Sequence, residues 1–177
     1  MSCYITSGVT LSCNFAFGSL KKVWLTNYDE ITGVTRTSGG TNTGQVTAIG
    51  MSTGAKFYEF VPVVDTTSLV EAFERNGAST YLKQTLTFSM NSPNQSKVDV
   101  LNSMANTFIT AVVLDSQGTY WLLNDTTKGR GLRQVAGSQL STGKAQTDDY
   151  ALTLTLEGNS LGYADTLTGL SVLTSHL

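Results

Sequence analysis

The stretch Asp149-Tyr150-Ala151-Leu152-Thr153-Leu154-Thr155-Leu156-Glu157-Gly158 carries leucine at every second position, with threonine between. Side chains alternate across a β-strand, so a period of two sets a leucine face toward a core and a threonine face away from it. Residues 81–90 repeat the pattern. Leu82, Gln84, Leu86, Phe88 and Met90 share one face; Tyr81, Lys83, Thr85, Thr87 and Ser89 share the other. A strand facing water could instead carry lysine and glutamate. The choice of hydroxyls is general: Ser and Thr supply about a quarter of the chain, while charged residues make up 14%, against a usual value of about 25%. Threonine is stiff at χ1 and fits a pleated surface. The composition leans toward an all-β fold.

The 177 residues suffice for one domain with a substantial core, and 40% are hydrophobic. The net charge of −2 and the absence of a basic run argue against a dedicated nucleic-acid or membrane-surface binder. No apolar run approaches the roughly 18 residues of a membrane span. The opening MSCYITSGVTLSC has neither a basic region nor a long apolar one, so no signal peptide is expected, and assembly in a cytosol is. Cys3 and Cys13 read as two small buried hydrophobes in a reducing compartment, with a disulfide as the alternative.

Along the chain, residues 21–33 read as a strand entering a turn, and the polar TRTSGGTNTG over 35–44 as a flexible loop. QVTAIGM and AKFYEFVPVV suggest a hairpin closed by Ser52-Thr53-Gly54, with Pro62 marking an edge, a strand end or a bulge. Residues 66–90 read as a long hairpin centred on Asn76-Gly77, a type I′ turn signal. The alternative is a short helix over 68–75, where Ser68-Leu69-Val70-Glu71 imitates a capping box. One good helix follows, capped by Asn94 or Ser96. Its apolar stripe is Val98, Leu101 and Met104 or Ala105, and Asn106 could end it in a left-handed conformation. FITAVVLD and TYWLLND flank Asp115-Ser116-Gln117-Gly118 as a further hairpin, and residues 132–140 hold another strand. About nine to eleven strands and one helix are expected, mostly antiparallel. No solenoid-length repeat is visible.

Catalytic chemistry finds little support. His176, the sole histidine, lies next to the end of the sequence, and a triad needs an oriented base. GRGLRQVAG lacks the order of a phosphate-binding loop and reads as an ordinary loop. Asp29-Glu30 and Asp148-Asp149 suit turns, because neighbours on a strand face opposite ways. Two cysteines and one distant histidine do not make a metal site. Neither an enzyme nor a cofactor is expected. Trp24, Tyr28, Phe57, Tyr58, Phe60, Tyr81, Tyr120 and Trp121 read as core and interface aromatics, with a sugar-binding face as the alternative.

The order strand, helix QSKVDVLNSMANT, strands FITAVVLDSQGTYWLLN, looped segment and STGKAQTDDYALTLTLEG resembles the tail tube proteins of tailed bacteriophages. SCYITSG…C…GSLKKVWLTNYDEIT likewise resembles small phage virion proteins. The likeness covers about two thirds of the chain. The glycine loop over 35–44 has no counterpart in it. It implies a mainly β fold: an antiparallel sandwich or barrel with one flanking helix in a single domain over 1–177. It further implies hexameric rings that stack into a tube, with DNA passing through the bore without specific binding.

On that resemblance, a hairpin over 66–90 and arms over 1–18 and 159–177 reach between neighbours. Arg75, Asn76, Gly77, Ala78, Thr85, Thr87, Thr153 and Thr155 are then the candidate interface residues. The partners are copies of the chain and other tail or neck proteins of the virion, with no membrane involved. Lys21, Lys22, Arg130 and Arg133 are expected to face away from the bore, leaving its charge neutral or acidic. A connector, neck or head-decoration protein of the same fold and a carbohydrate-binding β-sandwich are the alternatives. Threonine-rich faces also occur on monomeric sandwiches, because β propensity alone favours the residue.

Overall fold

The computed structural model describes residues 18–40, 42–142 and 150–177. Cys3, Cys13, Asp148-Asp149 and all of the expected N-terminal arm but Gly18 lie outside the described residues. The fold is mainly β, an antiparallel sandwich with a flanking helix. Twelve strands are present among the described residues, one more than the upper expectation.

The middle layer is a five-stranded sheet. β1 (Leu20–Asn27) and β7 (Ile109–Asp115) pair at its centre, flanked by β4 (Tyr58–Phe60) on one side and by β8 (Tyr120–Leu123) and β12 (Asp165–Thr166) on the other. Both of its faces are covered, which is why β7 reads Ile-Thr-Ala-Val-Val as an unbroken buried run and not as an alternation. One face packs on the second sheet, ordered β10 (Gln139–Ser141), β11 (Ala151–Ser160), β6 (Ser79–Asn91) and β5 (Ser68–Asn76). Val23, Leu25, Ala111, Val113 and Leu123 meet Leu86, Phe88, Leu154 and Leu156 there. On the other face, Trp24, Val112 and Leu122 meet the hairpin of β2 (Ile31–Arg36) and β3 (Val46–Met51), together with Phe57, Val172 and Leu173. The molecule thus has three layers, and the leucines of β11 and β6 face the middle one.

Four sequence expectations change. First, β3 pairs with β2, while β4 joins β1 in the middle sheet. The 35–44 stretch supplies the loop between β2 and β3, closed by bonds from Thr37 N–H to Gln45 O and from Gly44 N–H to Thr37 O. Ser52-Thr53-Gly54 is a corner between layers, because Phe57 is drawn beneath Trp24 and its N–H reaches His176 O at 2.7 Å. Pro62 follows the end of the edge strand β4, where no ladder donor is required. Second, the β5–β6 hairpin turns on Gly77-Ala78, since Asn76 pairs with Ser79. Gly77 takes a positive φ of 61° as first central residue, a type II′ position. Moving the turn by one residue shifts each partner by two, so both faces keep the expected residues.

Third, the strand expected over 132–140 is broken into β9 (Arg133–Gln134) and β10. Between them Ser138 Oγ accepts from Thr155 N–H at 3.0 Å and donates to Thr155 O, so a side chain replaces the missing ladder. Fourth, residues 159–177 fold back on their own domain and are not an arm extending away from it. β11 runs to Ser160, and β12 pairs with β8. The short helix α2 (Ser171–Thr174) buries Val172 and Leu173, and His176 Nε2 donates to Ile49 O at 2.9 Å.

The flanking helix α1 (Gln95–Met104) matches its sequence signals, with Leu101 buried beneath it. Asn94 Oδ1 accepts from Lys97 N–H at 3.0 Å as the cap. The helix ends at Ala105 in a right-handed conformation, φ −58°, and not through a left-handed Asn106.

Candidate assembly surface

The outer face of the second sheet is built from the residues that alternate with its leucines. Cross-strand partners in an antiparallel pair share a face, so the pairings Thr155↔Thr87, Thr153↔Ser89 and Glu157↔Thr85 gather the hydroxyls into one ladder. Ser89 and Thr153 bond at 2.8 Å and Thr87 and Thr155 approach to 3.5 Å. At the far end Lys83 Nζ meets Glu157 at 3.0 Å, and the Tyr81 hydroxyl donates to Glu74 at 2.9 Å. Those two bonds hold the Lys83 ammonium and the Tyr81 phenol protonated to higher pH than usual. Among the described residues the charged side chains on this face are Lys83, Arg133, Glu74 and Glu157, which cancel.

The structure therefore gathers four candidates, Thr85, Thr87, Thr153 and Thr155, at the centre of one face. Arg75, Asn76, Gly77 and Ala78 form the exposed hairpin tip, five or more residues farther along β6, or roughly 17 Å at strand rise. They are two patches on one sheet. Arg133 stands on the hydroxyl face beside Glu157, and Arg130 in the adjoining loop. Lys21 and Lys22 belong to the middle sheet, bonded to Ser116 O and Glu59.

Two features of this surface escaped the sequence reading. The first is the edge. Among the described residues β5 pairs only with β6, so along its nine-residue outer side the backbone N–H and C=O of every second residue have no strand partner there. Val70 and Phe73 on this strand are 55% and 59% exposed, and Phe73 meets Tyr163 edge-on at 5.2 Å. The opposite edge is the short, broken β9–β10. The second feature is a partly buried polar clasp around the buried Asp125. Arg36 bonds Asp125 and Asp165 at 2.8 Å each, and Lys128 pairs with Asp165. Burial opposes the Arg36 charge, but its bond to Asp165 and the charges of Asp125 and Asp165 outweigh it and raise its pKa. Beside the clasp Asn124, at φ 53°, donates to Gln84 Oε1 and accepts from Gly131 N–H. The glycines of TTKGRG pack against this amide.

Trp24 is 2% exposed, Phe57 is buried with it, and Phe60 and Trp121 pack on the inner core. The aromatics do not assemble into one exposed platform. Asp29-Glu30 forms a single 3-10 turn, with Glu30 accepting from Thr26 and Asn27. Among the described residues no cluster of His, Cys, Asp and Glu could hold a metal ion, and no helix is long and apolar enough to cross a membrane.

Compared with protein-family models, curated proteins and solved structures, the chain gives no match.

Proposed function

We propose that this chain is a structural virion protein, the subunit of hexameric rings that stack into a phage tail tube guiding DNA ejection. The observation that carries the reading is the nine-residue outer edge of β5, unpaired among the described residues, on a sheet whose outer face is hydroxyl-lined and, over the same residues, neutral in sum. The two edges of that sheet differ, so pairing one copy's β5 with the next copy's β10 is a head-to-tail contact. Such contacts close into rings where the rotation between copies closes, and run on as filaments where it does not. Closure removes a liability that the monomer otherwise exposes to uncontrolled pairing. If this face turns toward the bore, Arg133 stands in it, against the expectation that it faces away; its charge and that of Lys83 are matched by Glu74 and Glu157, so DNA phosphates meet no array of uncompensated cations and a polyanion could slide past. Exposed Tyr58, Val61 and Val100 rim an apolar groove of about 610 Å³ between α1 and β4, further surface that neighbouring copies or tail and neck proteins could cover.

Negative-stain microscopy of the purified protein is expected to show rings or short tubes. Val70→Lys places a charge on the open edge at an exposed site, so it should abolish rings while leaving the melting temperature of the monomer unchanged. A protein that stays monomeric at high concentration, and forms no ring with other virion components, refutes the reading. One or two rings per particle in place of a stack makes it a connector.

A further inference from the structure

The loop after β8 and the far end of the hydroxyl face enclose a groove of about 720 Å³. Lys83, Lys128, Arg130 and Arg133 line it. Lys83 is neutralised by Glu157 and Lys128 by Asp165. Arg130 and Arg133 are exposed and make no ion pair among the described residues. Arg133 lies over the Phe108 ring at 5.5 Å, which occupies one face of the guanidinium and leaves its edge donors to a ligand.

The ligand's chemistry follows from what surrounds these two cations. The loop is no phosphate cradle: the N–H groups of Thr127, Gly129 and Gly131 are taken by Asp125 and Asn124. Two unpaired guanidiniums fall well short of the roughly 6–10 phosphate contacts that hold a nucleic acid. Beside them stand Val135 and Leu161, the latter 81% exposed. A sugar–phosphate backbone has no use for such side chains, whereas a peptide does.

We infer that this groove docks an extended acidic segment of a partner protein. Two carboxylates meet Arg130 and Arg133 as forked pairs, and an aliphatic side chain between them lies on Leu161 and Val135. The test is fluorescence anisotropy with a labelled peptide of alternating glutamate and leucine, run against the Val70→Lys protein. That variant keeps the groove intact, so the result does not depend on ring formation. Arg130→Glu and Arg133→Glu should each weaken binding by about tenfold or more. Added salt should weaken it as well. Lys21→Glu, the same charge change on the middle sheet, should leave it unchanged. Circular dichroism of each variant should match the parent, since the substituted residues are exposed. No binding, binding indifferent to both arginine variants, or an oligothymidylate that binds tighter than the peptide would each overturn the inference.

Discussion

Gly158→Ala tests the cradle that fixes the loop bearing Arg130. A Cβ on Gly158 would lie 2.6 Å from Asn124 Nδ2, 2.7 Å from Gly131 O and 3.1 Å from Leu132 Cδ2. None of these is the free end of a flexible side chain. The Asn124 amide is held between Gln84 Oε1 at 3.1 Å and Gly131 N–H at 2.9 Å, and Gly131 O is backbone. Relief therefore requires moving Asn124 and breaking two buried hydrogen bonds, each worth about 1 kcal/mol, in addition to the about 1–3 kcal/mol of overpacking. A loss of about 3–5 kcal/mol is expected. At the low end of that range, with a urea slope of about 2 kcal/mol/M, the midpoint should fall by about 1.5 M with the slope unchanged. The melting temperature should fall by about 6–12 °C. Gly33→Ala is the control: it also lies in a strand, but no atom stands within 4 Å of the new methyl. It should be neutral, or stabilising by about 0.5 kcal/mol through the unfolded state. A Gly158→Ala protein within about 0.5 kcal/mol of the parent refutes the cradle. An equal loss in Gly33→Ala would trace the cost to losing any strand glycine.

Arg36→Ala should cost about 3 kcal/mol at neutral pH in the same assay, because it strands the buried Asp125 carboxylate; Arg36→Lys should recover only part, lacking the second donor arm. Burial, then the charges of Asp125 and Asp29, raise the Tyr28 phenol above its usual 10.0. That stabilisation is intact below about pH 10 and is lost as pH rises through the folded-state value. Tyr28→Phe also loses the 2.8 Å bond to Gly129 O, worth about 1 kcal/mol at neutral pH. The stability gap between parent and variant should therefore narrow in strongly alkaline urea melts; a constant gap refutes the assignment.

What was legible in the sequence followed from how different the two faces of an element are. β6 and β11 announce themselves because leucine and threonine alternate, and α1 because Val98, Leu101 and Met104 share a stripe behind an asparagine cap. The β2–β3 pairing was hidden. Ser52-Thr53-Gly54 looks like a tight turn, and only the joint burial of Ile31, Val46, Ile49 and Phe57 on the Trp24 side of the middle sheet selects the longer loop. The four residues of α2 span barely one turn, too few for a period to register. The hydroxyl face could be read from local alternation. The clasp could not, because it joins positions 36, 125 and 165, which no local pattern connects.

The threonine faces also change meaning once their bonds are placed. Ser89 and Thr153 bond one another across the strands, and the Thr155 hydroxyl accepts from Thr87 at 3.5 Å. Hydroxyls already bonded within a face lose little on meeting either water or another protein surface. Lysines there would need counterions and would lose about 2 kcal/mol of rotamer freedom each when immobilised. The hydroxyl face therefore permits burial without driving it. For assembly, the driving force must come from groups that gain on contact: the outward-facing backbone of β5, without a strand partner among the described residues, and the exposed Val70 and Phe73 beside it. In the proposed ring, assembly would thus be a property of the edge, and the face would decide only what may lie against it or pass in front of it.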